Sequence, residues 1–123
     1  MLTVKVPVSI GELIDKITIL EIKSEIFKGE KLKNVEKELI SLRTVLNDLD
    51  IKIEDSLKNK MRLINSEIWE IERVIREYEK INRFDESFIN IARSVYKKND
   101  IRASIKRDIN VSFDSEFIEE KSY

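Results

Sequence analysis

The chain has 123 residues, the length of one domain with its own core. Charged residues make up 38%, yet 23 basic and 24 acidic side chains nearly cancel, so the basic excess of a nucleic-acid binder is missing. The absence of cysteine excludes disulfides, thiolate nucleophiles and cysteine-ligated metals, and the absence of histidine removes the usual general base near neutral pH.

The first residues alternate, with Leu2, Val4, Val6 and Val8 on one face, which predicts a short extended arm. Pro7 removes a ladder donor and keeps this arm at a sheet edge or outside a sheet. Ser9, with Glu12 three positions on, reads as a capping box opening a first helix over 10–28, closed by Gly29 as a left-handed cap. Ile10, Leu13, Ile14, Ile17, Leu20 and Phe27 share one face of that helix, and Ile19, Ile22 and Ile26 form a second stripe. A helix apolar on two sides is packed on two sides, so it is expected to be central or at a subunit interface.

A second helix is predicted over 34–49, with a seam through Leu32, Val35, Leu39, Leu42, Leu46 and Leu49. A third, over 55–81, repeats the pattern in Leu57, Met61, Ile64, Ile68, Ile71, Ile75 and Tyr78. The short connection between them predicts an antiparallel hairpin. The third helix is then about 40 Å long and the second only about 24 Å, so a fourth helix or a second subunit must cover the overhang.

The fourth helix, over 85–108, starts in register with Phe84, Phe88, Ile91 and Val95. It then puts Lys98 and Arg102 where apolar residues belong. Either the helix breaks near Asn99 or Asp100, or a polar pocket interrupts the seam. The tail from Ile109 alternates briefly, in Ile109, Val111 and Phe113, and is read as extended and able to pair with the N-terminal arm. The fold expected is thus all-α, one domain over 1–123, an antiparallel bundle of about four helices.

No catalytic constellation stands out. The densest polar cluster is Arg93, Tyr96, Asn99, Asp100, Arg102, Lys106 and Arg107. Its guanidinium groups match phosphate or carboxylate, while the alternative is a solvated helix face with weak intrahelical pairs. Glu12, Asp15, Lys16 and Lys23 on the first helix can face it, although Glu12 and Asp15 also suit the positive end of a helix dipole. The carboxylates of the third helix, Glu72 among them, lack the histidine partners of a carboxylate-bridged metal site, so neither metal nor cofactor is expected. Trp69 flanks the seam and reads as boundary packing.

Several strings carry a resemblance. They are Val6-Pro-Val-Ser-x-Gly-Glu-Leu-Ile-Asp-Lys-Ile-Thr-Ile-Leu20, Trp69-x-Ile-Glu-x-x-Ile-Arg76, Ala92-Arg-x-Val-Tyr-x-x-Asn-Asp-x-Arg-Ala103, Lys106-Arg-x-Ile-Asn110 and Glu119-Glu-Lys-Ser-Tyr123. With them the whole chain resembles a family of small bacterial helical proteins of unknown function. The resemblance implies one helical domain and an association with surface-polysaccharide biosynthesis, with a glycosyltransferase as a partner. It also draws Glu72 and Arg76 into one site with the helix-1 start and the Tyr96–Arg107 cluster. A second, partial resemblance is to the helical chorismate mutases, which open with a similar Leu-Ile-Asp-x-Ile helix and bind a dicarboxylate between helices.

Two functions are therefore expected. One is a homo-oligomeric accessory or scaffold protein, a dimer being the expected form. The other is a binding site for an anionic small molecule, such as a phosphorylated sugar or dicarboxylate. The N-terminus lacks the basic and apolar regions of a signal peptide, and no apolar run approaches the ~20 residues that span a bilayer, so a cytoplasmic protein without membrane insertion is expected.

Overall fold

The computed structural model describes residues 2–115 and 117–122. Four helices follow one another, α1 (Ile10–Ile26), α2 (Gly29–Asp48), α3 (Asp55–Lys80) and α4 (Glu86–Ser112), and no strand forms among the described residues. The all-α bundle expected from the periodicity is the observed fold.

The central element is α1. It packs against each of the other three helices, and α3 packs along α4. The Cα traces of α2 and α3 never approach within 8 Å, so the expected α2–α3 hairpin is replaced by two partnerships, α1 with α2 and α3 with α4. The broad first face of α1 explains this by dividing between the two sides, whereas Ile19, Ile22 and Ile26, read from the sequence as a second stripe, join neither core cluster, and Ile26 is exposed. Leu13, Ile17 and Leu20 bury against Val35 and Leu39 of α2. Ile14 buries against Met61 and Ile64 of α3 and Ile105 and Ile109 of α4. Each fully buried side chain of this kind contributes roughly 1.5–3 kcal/mol. The overhang of α3 is covered by α4.

Helix ends differ from the sequence reading for local reasons. The chain leaves α1 at Ile26, and Phe27 turns extended, its ring edge-on to Trp69 with centroids 6.0 Å apart. Gly29, at φ +65°, opens α2 rather than capping α1, so α2 gains a turn and a half at its start. The fourth helix does not break at Asn99 or Asp100. It runs on through Ile109, fully buried against the core, to Ser112. Asp114 at φ +51° then closes it, with the Ser115 N–H donating to the Asn110 carbonyl at 2.8 Å. Asn82 at φ +52° ends α3 the same way, through Arg83 N–H to the Tyr78 carbonyl at 2.9 Å. Residues 109–112, expected as extended tail, are therefore helical. The arm at 2–8 and the tail at 117–122 share no ladder; Tyr123, the last residue of the tail motif, lies outside the described residues.

No helix of the described residues is long and apolar enough to cross a membrane.

Candidate functional site

The N-terminal end of α1 meets the C-terminal half of α4 at Gly11. A methyl built there would stand 2.6 Å from the Lys106 carbonyl oxygen and 2.8 Å from Asn110 Oδ1. Glycine thus lets two backbones touch, and its N–H donates to Asn110 Oδ1 at 2.6 Å.

One turn on, this close approach brings charges together. Asp15 is fully buried. Arg102 Nε donates to both of its oxygens, at 3.0 and 3.1 Å, and Arg102 Nη2 adds a bond to Oδ2. Asn65 Nδ2 donates to Asp15 Oδ1 at 2.8 Å and to Thr18 Oγ1 at 2.9 Å, while Thr18 Oγ1 donates to the Asp15 carbonyl. Lys106, only 6% exposed, reaches Glu12 at 2.6 Å, Glu119 at 3.1 Å and Asp15 at 3.6 Å. Three carboxylates surround two cations in a network joining α1, α3, α4 and the tail.

The electrostatics follow from that geometry. Burial would push Lys106 down, but the Glu12 and Glu119 carboxylates outweigh it and hold Lys106 above the ordinary lysine value. Hydrogen bonding to Asp15 raises Arg102 against the opposing effect of burial. Glu119 is held below the usual carboxylate range, first by Lys121 and then, against its partial burial, by Lys106. Glu12, read as half of a capping box, spends its carboxylate on Lys106; Ser9 Oγ alone caps the helix, accepting from Glu12 N–H at 3.0 Å.

Beside this network lies a cavity of about 450 Å³ between α1, α3 and α4. Ile19, Ile68 and Trp69 form its apolar walls, and Asn65, Glu72, Arg73, Arg76 and Arg102 bring polar groups. Arg73 is occupied by Glu70, at 2.5 Å from Nη2. Among the described residues Arg76 makes no ion pair.

A family model described as a family of unknown function (DUF6165) matches residues 4–123. The chain belongs to that family. The matched span holds all four helices, the charged network and the cavity. No curated protein and no solved structure matches the chain.

The expected site residues fall into three groups. Glu12, Asp15, Arg102 and Lys106 converge in the network, with Asn99 Oδ1 at 3.5 Å from Arg102 Nη1. Glu72 and Arg76 line the cavity together with Arg102. The others are not drawn in. Lys16 is exposed, Lys23 sits in the last turn of α1, and Arg93 and Tyr96 face solvent. Among the described residues Arg107 pairs with Glu120 of the tail, at 3.7 Å, and Asp100 holds one oxygen shielded from water without a hydrogen bond. The interruption of the α4 seam is resolved as ion pairs across helices, Lys98 to Glu67 at 2.9 Å and Arg102 to Asp15.

Sequence reasoning passed over Asn65, Thr18 and Asn110, the neutral members of the network. Asn65 and Asn110 each follow an isoleucine of a buried seam, which was the available signal. It also passed over Glu21, nearly buried beside Arg43 at 2.7 Å, Arg62 at 3.7 Å and Lys58 at 3.9 Å. Among the described residues no group of acidic side chains is arranged to hold a metal ion.

Proposed function

We propose that this protein acts by association rather than catalysis, as a homo-oligomeric accessory or scaffold protein of the cytoplasm. The observation that carries this is the outer face of α4. Ile89, Arg93 and Tyr96 follow one another at helical spacing, all exposed, with Ile81 and Phe84 exposed at the hairpin tip. Behind that face no residue from Ser66 to Ser104 is fully buried, and beyond the contacts of Phe27 with Trp69 and of Asp15 with Arg102 the α3–α4 hairpin is a two-helix arm without a third layer. Two helices alone leave their seam half wet, and a further layer is the usual remedy.

A second copy of the chain suits this face. Glu86 lies at the start of the row and Arg93 and Lys97 follow it, so two α4 helices set antiparallel about a two-fold axis place acid against base. The polar groups nearest the core are committed to the Asp15 network, which fits a role without chemistry. A glycosyltransferase of surface-polysaccharide synthesis is the partner class that the family resemblance adds to this reading.

Sedimentation equilibrium tests it. The expected result is twice the 14.6 kDa chain mass for the wild type, and the single-chain mass for Ile89→Asp with Tyr96→Asp. A wild-type mass of one chain at high micromolar concentration overturns the reading. So does a dimer that survives the double substitution.

A further inference from the structure

We propose that the cavity bounded by Ile19, Trp69, Arg76 and Arg102 is a binding site for a flat, monoanionic aryl carboxylate that carries a hydrogen-bond donor. This goes beyond association between copies and stands on separate observations.

The space comes first. About 450 Å³ lies in the ordinary range for a metabolite pocket, and the surface it presents is mainly carbon, from Ile19, Ile68 and Trp69 and from the stems of five polar side chains. Trp69 lines the cavity with its ring held by the T-shaped contact to Phe27, an aromatic wall for a planar ring.

The charge follows from counting what is already spent. Arg73 is engaged by Glu70, and Arg102 gives Nε and Nη2 to Asp15. What remains for a ligand is the whole guanidinium of Arg76 and the Nη1 edge of Arg102, held only by a 3.5 Å contact to Asn99. One free fork matches one carboxylate in bidentate fashion. The Glu72 carboxylate in the same wall disfavours a second negative charge, which selects against a phosphate dianion or a dicarboxylate.

The donor is set by Asn65, which is 5% exposed. Its Nδ2 is fixed toward Asp15 and Thr18, because Thr18 Oγ1 gives its proton to a carbonyl and can only accept from Asn65. Its Oδ1 accepts no hydrogen bond among the described residues, yet it is not shielded from water, and Asn65 lines the cavity. A ligand hydroxyl or amine opposite the carboxylate would donate to it. Ring, single carboxylate and remote donor together describe a hydroxyaryl or aminoaryl acid.

The chain has one tryptophan, so its indole N–H gives one signal at the cavity wall. Titration of the full chain with 4-hydroxybenzoate should move that signal saturably at millimolar concentration or below. Benzoate, lacking the donor, should bind more weakly, and glucose 6-phosphate should leave the signal in place. Arg76→Gln should weaken 4-hydroxybenzoate about tenfold or more, the loss expected for a charge-assisted fork, while the exposed control Lys37→Gln binds as wild type. A static indole signal with 4-hydroxybenzoate overturns the proposal. Equal binding by Arg76→Gln, or preference for glucose 6-phosphate, does so as well. Arg76 is on the surface, so this variant keeps its fold, which the unchanged remainder of the amide spectrum verifies.

Discussion

Arg102 lays its guanidinium along the fully buried carboxylate of Asp15, joining the last helix to the first across 87 residues of sequence. An ion pair of this kind holds a geometry more than it adds stability, since both charges gave up water to form it. Removing one partner is another matter, because the other is left charged in the core. Arg102→Met is expected to lower the unfolding free energy by about 3 kcal/mol, the lower end for a broken buried pair, since Asn65 and Lys106 still attend Asp15. Urea denaturation measures it. The double variant Asp15→Asn with Arg102→Met should lie closer to wild type than the sum of the single changes. Strict additivity would show that the two side chains do not act on one another.

Gly11 sets the distance at which that network forms. A methyl 2.6 Å from the Lys106 carbonyl meets backbone, which cannot swing aside as a flexible side chain can. Gly11→Ala should therefore force α1 and α4 apart and cost about 1–3 kcal/mol despite the better helix propensity of alanine. A thermal melt at or above the wild-type temperature would show that the contact yields freely.

The tail is held to α4 by charge, and its dependence on pH has a definite sign. The folded value of Glu119 is depressed, so its contribution is present above the unfolded carboxylate value and lost as pH falls through the folded one. Lys106 is raised, so its contribution is present below the unfolded lysine value and lost as pH rises through the folded one. Glu119→Gln should accordingly be less stable than wild type around neutrality, and the two curves should merge in acid. Because Glu119 is partly exposed, the gap should stay within about 1 kcal/mol. Stability curves measured across the acid range decide this; a gap that persists unchanged below the carboxylate range would assign the effect to packing.

How far the sequence reveals this arrangement depends on the kind of signal. Apolar spacing identified all four helices, because burial at Leu13, Ile17, Met61 or Ile64 leaves a period that local sequence records. The breadth of the apolar surface of α1 pointed to its central place, but the division runs within the first stripe, with Leu13 and Ile17 on one side and Ile14 on the other, and not between the two stripes. Partner choice was harder. The seams of α2 and α3 are alike, and nothing in Leu39 or Met61 says that each faces α1 rather than the other. The end of α4 was misread because Ile109, Val111 and Phe113 alternate. The burial of Ile109 in one cluster with Ile14 and Met61, a tertiary contact, favours helix there. In the polar region, Asp15, Arg102 and Lys106 stood out by charge. Asn65 and Thr18 did not, since neutral hydrogen bonding across helices leaves no periodicity.

The distribution of burial yields a last prediction, about the two ends of the α3–α4 hairpin. Met61 is fully enclosed by α1 and α4, whereas Ile75, on the same seam, is only half-buried. Met61→Ala should cost about 3 kcal/mol, within the usual range for emptying a core site, and Ile75→Ala about 1 kcal/mol in a single chain. A second copy packed on the hairpin changes the second figure. The cost of Ile75→Ala should then grow with protein concentration, while that of Met61→Ala, expressed per chain, should not. Hydrogen exchange supplies the independent reading. Amides of residues 70–95 should exchange well before those of α1 in dilute protein and gain protection as concentration rises. Equal protection of arm and core at all concentrations would mean that the hairpin is stable without a partner.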